Sequence, residues 1–285
     1  MAAVLRSTLA ALGIALLAAG CGGGGSSESG FPTIGAAKTY HLGDFRPAGA
    51  ITAGKPTTMT FKIVQPSGET LTAYKRGSGP HTGIHLIIVR DDLSAIIHKH
   101  PPLAKDGILR EQVTFPKPGR YRVVIDAYPA TGPQPNFQLF KWVDVAGDAA
   151  KQPLPPLAKS QAVDGFEVAL QGAPELKAIQ AGFLNVHVTG PDGKPAKFTP
   201  WLGALAHAIF FRAGTLDYFH THVCGNGATG CTSSLGASTI TGSSTAPGTL
   251  KVGVLLPLSG TWRLFLQTRA DGKAITAPFT LKVGQ

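Results

Sequence analysis

The sequence predicts an all-β protein made of two tandem antiparallel β-sandwiches, Ig-like or cupredoxin-like, related by internal duplication. Two observations carry this. From Tyr40 onward the apolar residues fall in alternating or continuous runs of about five to eight, punctuated by Gly, Pro, Asn and Asp, the pattern of strands and turns rather than helices. Three stretches of the first half also recur, in order, in the second. Roughly seven short strands per hundred residues is the density of a sandwich.

The first thirty residues lie outside this pattern. Arg6 precedes an apolar run, Leu9 to Ala19, too short to span a bilayer as a stable helix and flanked as a secretory signal is. It ends Leu16, Leu17, Ala18, Ala19, Gly20, Cys21, which resembles the lipobox of bacterial lipoproteins, with Ala18 where leucine is commoner. That resemblance implies cleavage after Gly20 and a lipid on Cys21, anchoring the chain to a membrane. Residues 21–35, rich in Gly and Ser, then read as a tether. A plain cleaved signal peptide is the alternative, and either places the mature chain outside the cytoplasm, in the cell envelope. There Cys224 and Cys231, in a loop rich in Gly, Ser and Thr, are expected to form a disulfide.

The first sandwich is expected over 36–147, with strands Thr58 to Val64, Gly83 to Arg90, Ala95 to His100, Leu109 to Phe115, Arg120 to Tyr128 and Phe137 to Val145. Residues 148–160 hold Pro153, Pro155 and Pro156 without periodicity and read as a semi-stiff linker. The second sandwich follows over 161–285. Thr58 to Gly68 aligns with Phe183 to Gly193, an offset of 125 (183 minus 58), and Gln112 to Arg122 with Gly253 to Arg263, an offset of 141 (253 minus 112). Tyr121 and Trp262, each after a glycine, are expected in the core, with Phe115, Val124, Phe265 and Leu266.

The third repeat carries the chemistry. His85, Arg90, His98 and His100 recur as His207, Arg212, His220 and His222 at an offset of 122 (207 minus 85), so six of the nine histidines sit in one duplicated segment. If Asp91-Asp92 and Ala213-Gly214 are two-residue turns, the numbers of paired residues sum to 183 and 427, placing 85 opposite 98 and 207 opposite 220. A four-residue loop, with sum 185, would pair 85 with 100 instead. Either odd sum puts all three imidazoles of a hairpin on one face, and an even sum scatters them.

Three imidazoles on adjacent strands suit Cu(II), Zn(II) or Ni(II), and leave a coordination position open. His81 is a candidate fourth ligand of the first copy, with Gly203 at the matching position of the second. The competing reading is a structural or pH-sensitive polar cluster on an otherwise apolar face. His41 and His187 read as ordinary surface or core residues, and Arg90 and Arg212 as solvated turn flanks pairing with Asp91 or Asp217. Whether the halves hold separate sites or share one is open.

The segment Leu202 to His222, with Gly260 to Gln267 and Asp271 to Lys273, is similar to a group of bacterial secreted proteins and lipoproteins described as heavy-metal-associated or copper-linked. The resemblance is closest over 181–285 and looser over 56–130. It departs where members continue His-x-His with proline: Pro101 follows in the first copy, Val223 in the second. It implies a copper-binding role.

The expected function is therefore an envelope lipoprotein that binds a transition metal for sequestration or delivery, with a metal-transfer protein as partner. The alternative is a non-enzymatic Ig-like adhesion or assembly module with structural histidines. No Ser/His/Asp order, paired carboxylates or phosphate-cradling glycine loop points to an enzyme. The formal charge of +10 comes from scattered Lys and Arg with no basic stripe interleaved with aromatics, so a nucleic-acid partner is not expected.

Overall fold

The apolar runs become strands because β-branched and aromatic side chains alternate between two faces, and each half has two sheets between which to bury them. The computed structural model describes residues 39–75, 83–132, 136–172, 175–225 and 240–285. The first half contains β1 (His41–Arg46), β2 (Ile51–Thr52), β3 (Pro56–Val64), β4 (Ile84–Arg90), β5 (Ile96–Lys99), β6 (Leu109–Thr114), β7 (Gly119–Ala127) and β8 (Phe137–Ala146). One sheet runs β1-β3-β6 and the other β2-β8-β7-β4-β5. Phe61, Ile63, Ile84, Leu86, Ile88 and Tyr121 fill the space between them.

The second half contains β9 (Ser160–Val163), β10 (Phe166–Gln171), β11 (Leu176–Lys177), β12 (Gly182–Thr189), β13 (Phe198–Thr199), β14 (Ala206–Arg212), β15 (Tyr218–Cys224), β16 (Gly242–Ser243), β17 (Thr249–Val254), β18 (Gly260–Ala270) and β19 (Lys273–Gly284). Its order β11-β19-β18-β14-β15 repeats β2-β8-β7-β4-β5, and β17-β12-β10 repeats β6-β3-β1, with β16 joining the two layers. The duplication reaches fine detail. The short parallel pair Ile51 with Val145 returns as Leu176 with Val283. Tyr121 donates its hydroxyl to Lys117 O at 2.8 Å, and Trp262 donates Nε1–H to Leu258 O at 2.9 Å.

Strands β4 and β14 are buried along nearly their whole length. One face of each points into its own sandwich; the other meets the opposite half. Ile87, Val89, Leu93 and Val124 of the first half pack against Ile209, Phe211, Leu216 and Phe265 of the second. Val124 and Phe265 thus belong to this contact rather than to the sandwich cores. Fully burying such a side chain stabilises by about 1.5–3 kcal/mol, and residues 38–285 accordingly form one compact unit. Arg122 reinforces the contact by donating to the carbonyls of Thr215 and Leu216 at 3.1 and 2.9 Å. The proline-rich segment is not a free spacer. Leu154 packs into the contact, and Pro155 O accepts the Thr280 hydroxyl at 2.6 Å.

Candidate metal centre

Each histidine triad is placed by a hairpin whose turn is longer than the aspartates suggest. Arg90 N donates to Ala95 O and Arg212 N to Asp217 O, so the loops have four residues. Leu86 pairs with Lys99, a sum of 185 (86 plus 99) that sets 85 opposite 100, and His207 pairs directly with His222, a sum of 429 (207 plus 222). The two-residue turns are corrected, while the odd parity holds. The physical reason is burial: Leu93 and Leu216 take left-handed backbone angles, φ 62 and φ 58, and enter the contact between the halves. Anchoring an apolar side chain outweighs the local turn preference of Asp91-Asp92.

All six imidazoles meet in one chamber at the end of that contact. Within the first half, ring centroids of His85 and His100 are 4.5 Å apart and those of His98 and His100 5.1 Å. Across the halves, His85 lies 4.7 Å from His220 and His98 lies 4.8 Å from His207. In the second half His207 and His220 lie 4.7 and 4.6 Å from His222. Three trios bring one nitrogen each within 4.8 Å of one another: His85, His98, His100; His85, His220, His222; and His98, His207, His220. Two of the three trios cross between halves, so the two triads form one cluster. His207, His220, His85 and His98 are buried, and His100 and His222 half-buried.

A polar shell holds the rings from outside. Asp126 on β7, fully buried, pairs in the ladder with His85 and turns its carboxylate toward the chamber. Its Oδ2 lies 3.4 Å from His85 Nδ1 and 3.7 Å from His220 Nδ1, accepts the Tyr218 hydroxyl at 3.3 Å, and Oδ1 accepts Gln138 Nε2–H at 3.0 Å. The matching residue of the second half is Gln267 (126 plus 141), whose Oε1 is 3.0 Å from His98 Nδ1. Trp201 O lies 3.0 Å from His207 Nε2. These acceptors assign the protonated nitrogens: Nδ1 of His98 and Nε2 of His207. The other nitrogens point inward, with His98 Nε2 3.2 Å from His100 Nε2 and His207 Nδ1 3.3 Å from His220 Nε2.

In the His207–His220 pair the lone pair of His207 Nδ1 then faces His220 Nε2, which meets it either with an N–H or through a shared cation. Protons are disfavoured here. Burial, followed by neighbouring imidazoles, holds His98, His207 and His220 well below the usual histidine range. Burial also pushes the Tyr218 hydroxyl well above its usual range, with Asp126 adding to the effect. At His98 and His207 one ring nitrogen donates to an amide or carbonyl oxygen while the other faces a neighbouring imidazole, the way histidines that bind metals are commonly oriented. The buried Nδ1 of His85 makes no hydrogen bond.

The remaining expectations fall as follows. His81, Cys21 and Cys231 lie outside the described residues; Cys224 ends β15. His41 is exposed on β1 and His187 half-buried on β12, away from the chamber. Arg90 is a correction: it is 1% exposed rather than solvated, donating Nε–H to Pro118 O at 2.9 Å and Nη2–H to Ala149 O at 3.1 Å, and pairing with Asp92. Arg212 is half-buried, donating to Ser259 O at 2.9 Å, and pairs with Asp217 at 3.6 Å. Both guanidinium groups lie over glycines, Gly119 and Gly260, with φ 120 and φ 125; a Cβ on Gly119 would sit 2.8 Å from the Arg90 guanidinium. Sequence reasoning assigned no role to Asp126 and Gln267. The available signal was a polar residue recurring at one repeat position inside an apolar strand.

A family model described as "Domain of unknown function (DUF8832)" matches residues 41–133 and 161–285, parts of both halves, leaving out β8 and the proline-rich segment. No curated protein matches the sequence. Among solved structures, the chain is similar to invasin, described as a bacterial integrin-binding protein (15% identity, 86% of this chain and 39% of that one, TM-score 0.25). It is also similar to the fibronectin(III)-like modules of Clostridium thermocellum CbhA (11% identity, 85% and 93%, TM-score 0.21) and to domains 5-6 of the S-layer protein SbsC (12% identity, 87% and 99%, TM-score 0.23). At such scores these likenesses carry nothing about the chamber.

Proposed function

The chain belongs to the family of that domain of unknown function, and from this premise we propose that it is an extracytoplasmic lipoprotein whose two halves together bind a transition metal, copper or zinc, for sequestration or delivery. The observation that carries the reading is the convergence of six imidazoles, with His98 and His207 each oriented by an amide or carbonyl oxygen. Two nitrogens bound to one ion at 2.0–2.1 Å in tetrahedral geometry are about 3.3 Å apart, and the inner pairs stand at 3.2 and 3.3 Å. The lipid on Cys21 would keep the chain at a membrane, a metal-transfer protein would be its partner, and no enzymatic step is assigned. Untagged protein stripped with chelator should take up copper or zinc at micromolar concentration, and His98→Ala with His100→Ala should lower the uptake. Uptake of neither metal, with the fold intact, would overturn the reading.

The second reading is an adhesion or assembly module. What favours it is the exposed aromatic surface of β8, where Phe140 and Trp142 are 45% and 41% accessible beneath Arg122 and Arg120 at 4.2 and 4.3 Å, and such modules are named among the structures of similar fold. It predicts envelope-surface binding that survives loss of the histidines.

A further inference from the structure

We infer that the cluster holds one ion per chain, passed between three overlapping sites that never fill together. This rests on the metal-binding reading and gives it a stoichiometry, a resting position and a route. The first observation is how the trios overlap. The sets whose nitrogens converge are His85, His98, His100; His85, His220, His222; and His98, His207, His220, and any two of them have one histidine in common. Filling two sets would ask one imidazole to serve two ions. His98 has a single nitrogen to give, because its Nδ1 is 3.0 Å from Gln267 Oε1. Bridging two ions through both nitrogens would also strip the shared ring of its N–H. Charge points the same way. Imidazoles bring no negative charge, and Asp126 is the buried carboxylate beside them, its Oδ2 3.4 Å from His85 and 3.7 Å from His220. One divalent ion with Asp126 leaves a net charge of about +1 and a second about +3, and uncompensated buried charge is costly.

Burial ranks the three sites. His98, His207 and His220 are 6%, 0% and 1% exposed, and this set takes ligands from both halves. Gln267 Oε1 and Trp201 O, each at 3.0 Å, orient His98 and His207, and His207 Nδ1 already stands 3.3 Å from His220 Nε2, the spacing of two nitrogens on one ion. This is the resting site. His100 and His222 are half-buried and each belongs to one set only, which makes them the points of entry and exit. An ion taken up at His100 passes inward while still held by His98, whose Nε2 is 3.2 Å from His100 Nε2. It leaves toward His222 while still held by His220, so no step within the cluster requires release to water.

The test uses the full chain without a tag, stripped of metal and titrated with Zn(II) and, separately, Cu(II). Native mass spectrometry counts bound ions, and a competing chromophoric chelator reports affinity and the rate of release. The expected count is one ion per chain for either metal. Two variants that each lack two histidines should then behave oppositely. His98→Gln with His220→Gln breaks all three sets and should abolish uptake. His100→Gln with His222→Gln keeps the buried set and should retain one ion at unchanged affinity, released severalfold more slowly. Thermal melting verifies that each variant is folded; if the first is not, His207→Gln decides in its place, since it removes the buried set alone and should keep one ion at lowered affinity. Two ions on the wild-type chain, undiminished uptake by folded His98→Gln with His220→Gln, or either loss of the ion or unaltered release in His100→Gln with His222→Gln overturns the one-ion route while leaving metal binding intact. Uptake of no metal by the wild-type chain overturns both.

Discussion

Replacing Asp126 with asparagine asks whether the carboxylate behind the rings matters to what they hold. Its Oδ2 is the meeting point of three groups: the Tyr218 hydroxyl at 3.3 Å and the Nδ1 atoms of His85 and His220 at 3.4 and 3.7 Å. Oδ1 is already taken by the Gln138 amide at 3.0 Å. Asparagine has one oxygen. If it keeps the Gln138 bond, its NH2 faces the tyrosine and both imidazoles; if it flips, it opposes the Gln138 amide. His85 and His220 then lose the negative charge that lies 3.4 and 3.7 Å from their Nδ1 atoms. Loss of a polar group behind a metal-binding histidine weakens metal binding roughly 10–100-fold, which is about 1.4–2.7 kcal/mol. Competition titrations of wild type and Asp126→Asn give the ratio directly, with far-UV dichroism reporting on the fold. The reverse change, Gln267→Glu, supplies a carboxylate to His98 and should tighten binding. Unchanged affinity in a folded Asp126→Asn protein would refute the assignment of Asp126 as a positioning residue.

Metal-free protein should lose stability in acid. His98, His207 and His220 are held neutral by burial, so below their ordinary pKa of 6.5 the unfolded chain binds protons that the folded one excludes. Stability is flat above that value and falls below it by about 1.4 kcal/mol per pH unit for each such histidine; urea midpoints equal at pH 7.5 and 5.5 would contradict this. Ile209→Ala opens a void in the contact between the halves and should cost about 2–5 kcal/mol by denaturant titration, where a change under 1 kcal/mol would mean that the contact collapses or does not form. Gly119→Ala forces an alanine to φ 120 against the Arg90 guanidinium and should cost about 1–3 kcal/mol, an effect that Arg90→Ala in the same chain should partly relieve. Saturating metal at about 1,000 times its dissociation constant should raise unfolding free energy by about 4 kcal/mol; a melting temperature indifferent to metal would place the ions on an unfolded or surface site.

The sandwich halves and their duplication were legible because they rest on local pattern: the offsets of 125, 122 and 141 each map strand onto strand in the structure. The joining of both triads in one cluster was not legible from the histidine spacing, which is satisfied equally by two separate triads. A clue lay in strand composition. An antiparallel strand with water on one side alternates, yet Ile84 to Val89 and Ala206 to Phe211 are apolar on both faces except at His85 and His207, so each second face needs a partner. Asp126 was hidden for a different reason. On paper it is a lone acid in a hydrophobic strand, and its role depends on His220, a residue 94 positions away (220 minus 126) brought near only by the packing of the halves. Arg90 was misread because its acceptors, Pro118 O and Ala149 O, are backbone carbonyls that no side-chain pattern announces.

The mismatch of Asp126 and Gln267 at one repeat position has a consequence for assembly. Had two identical chains come together to build this chamber, every residue would appear in both, and the ligand environment would be forced to be the same on each side. Its formation would also depend on dilution. With both copies on one polypeptide, closure is intramolecular, set by an effective local concentration rather than by the amount of protein. Each side is then free to differ. A single chain, however dilute, carries the complete cluster, with one carboxylate-backed and one amide-backed wall.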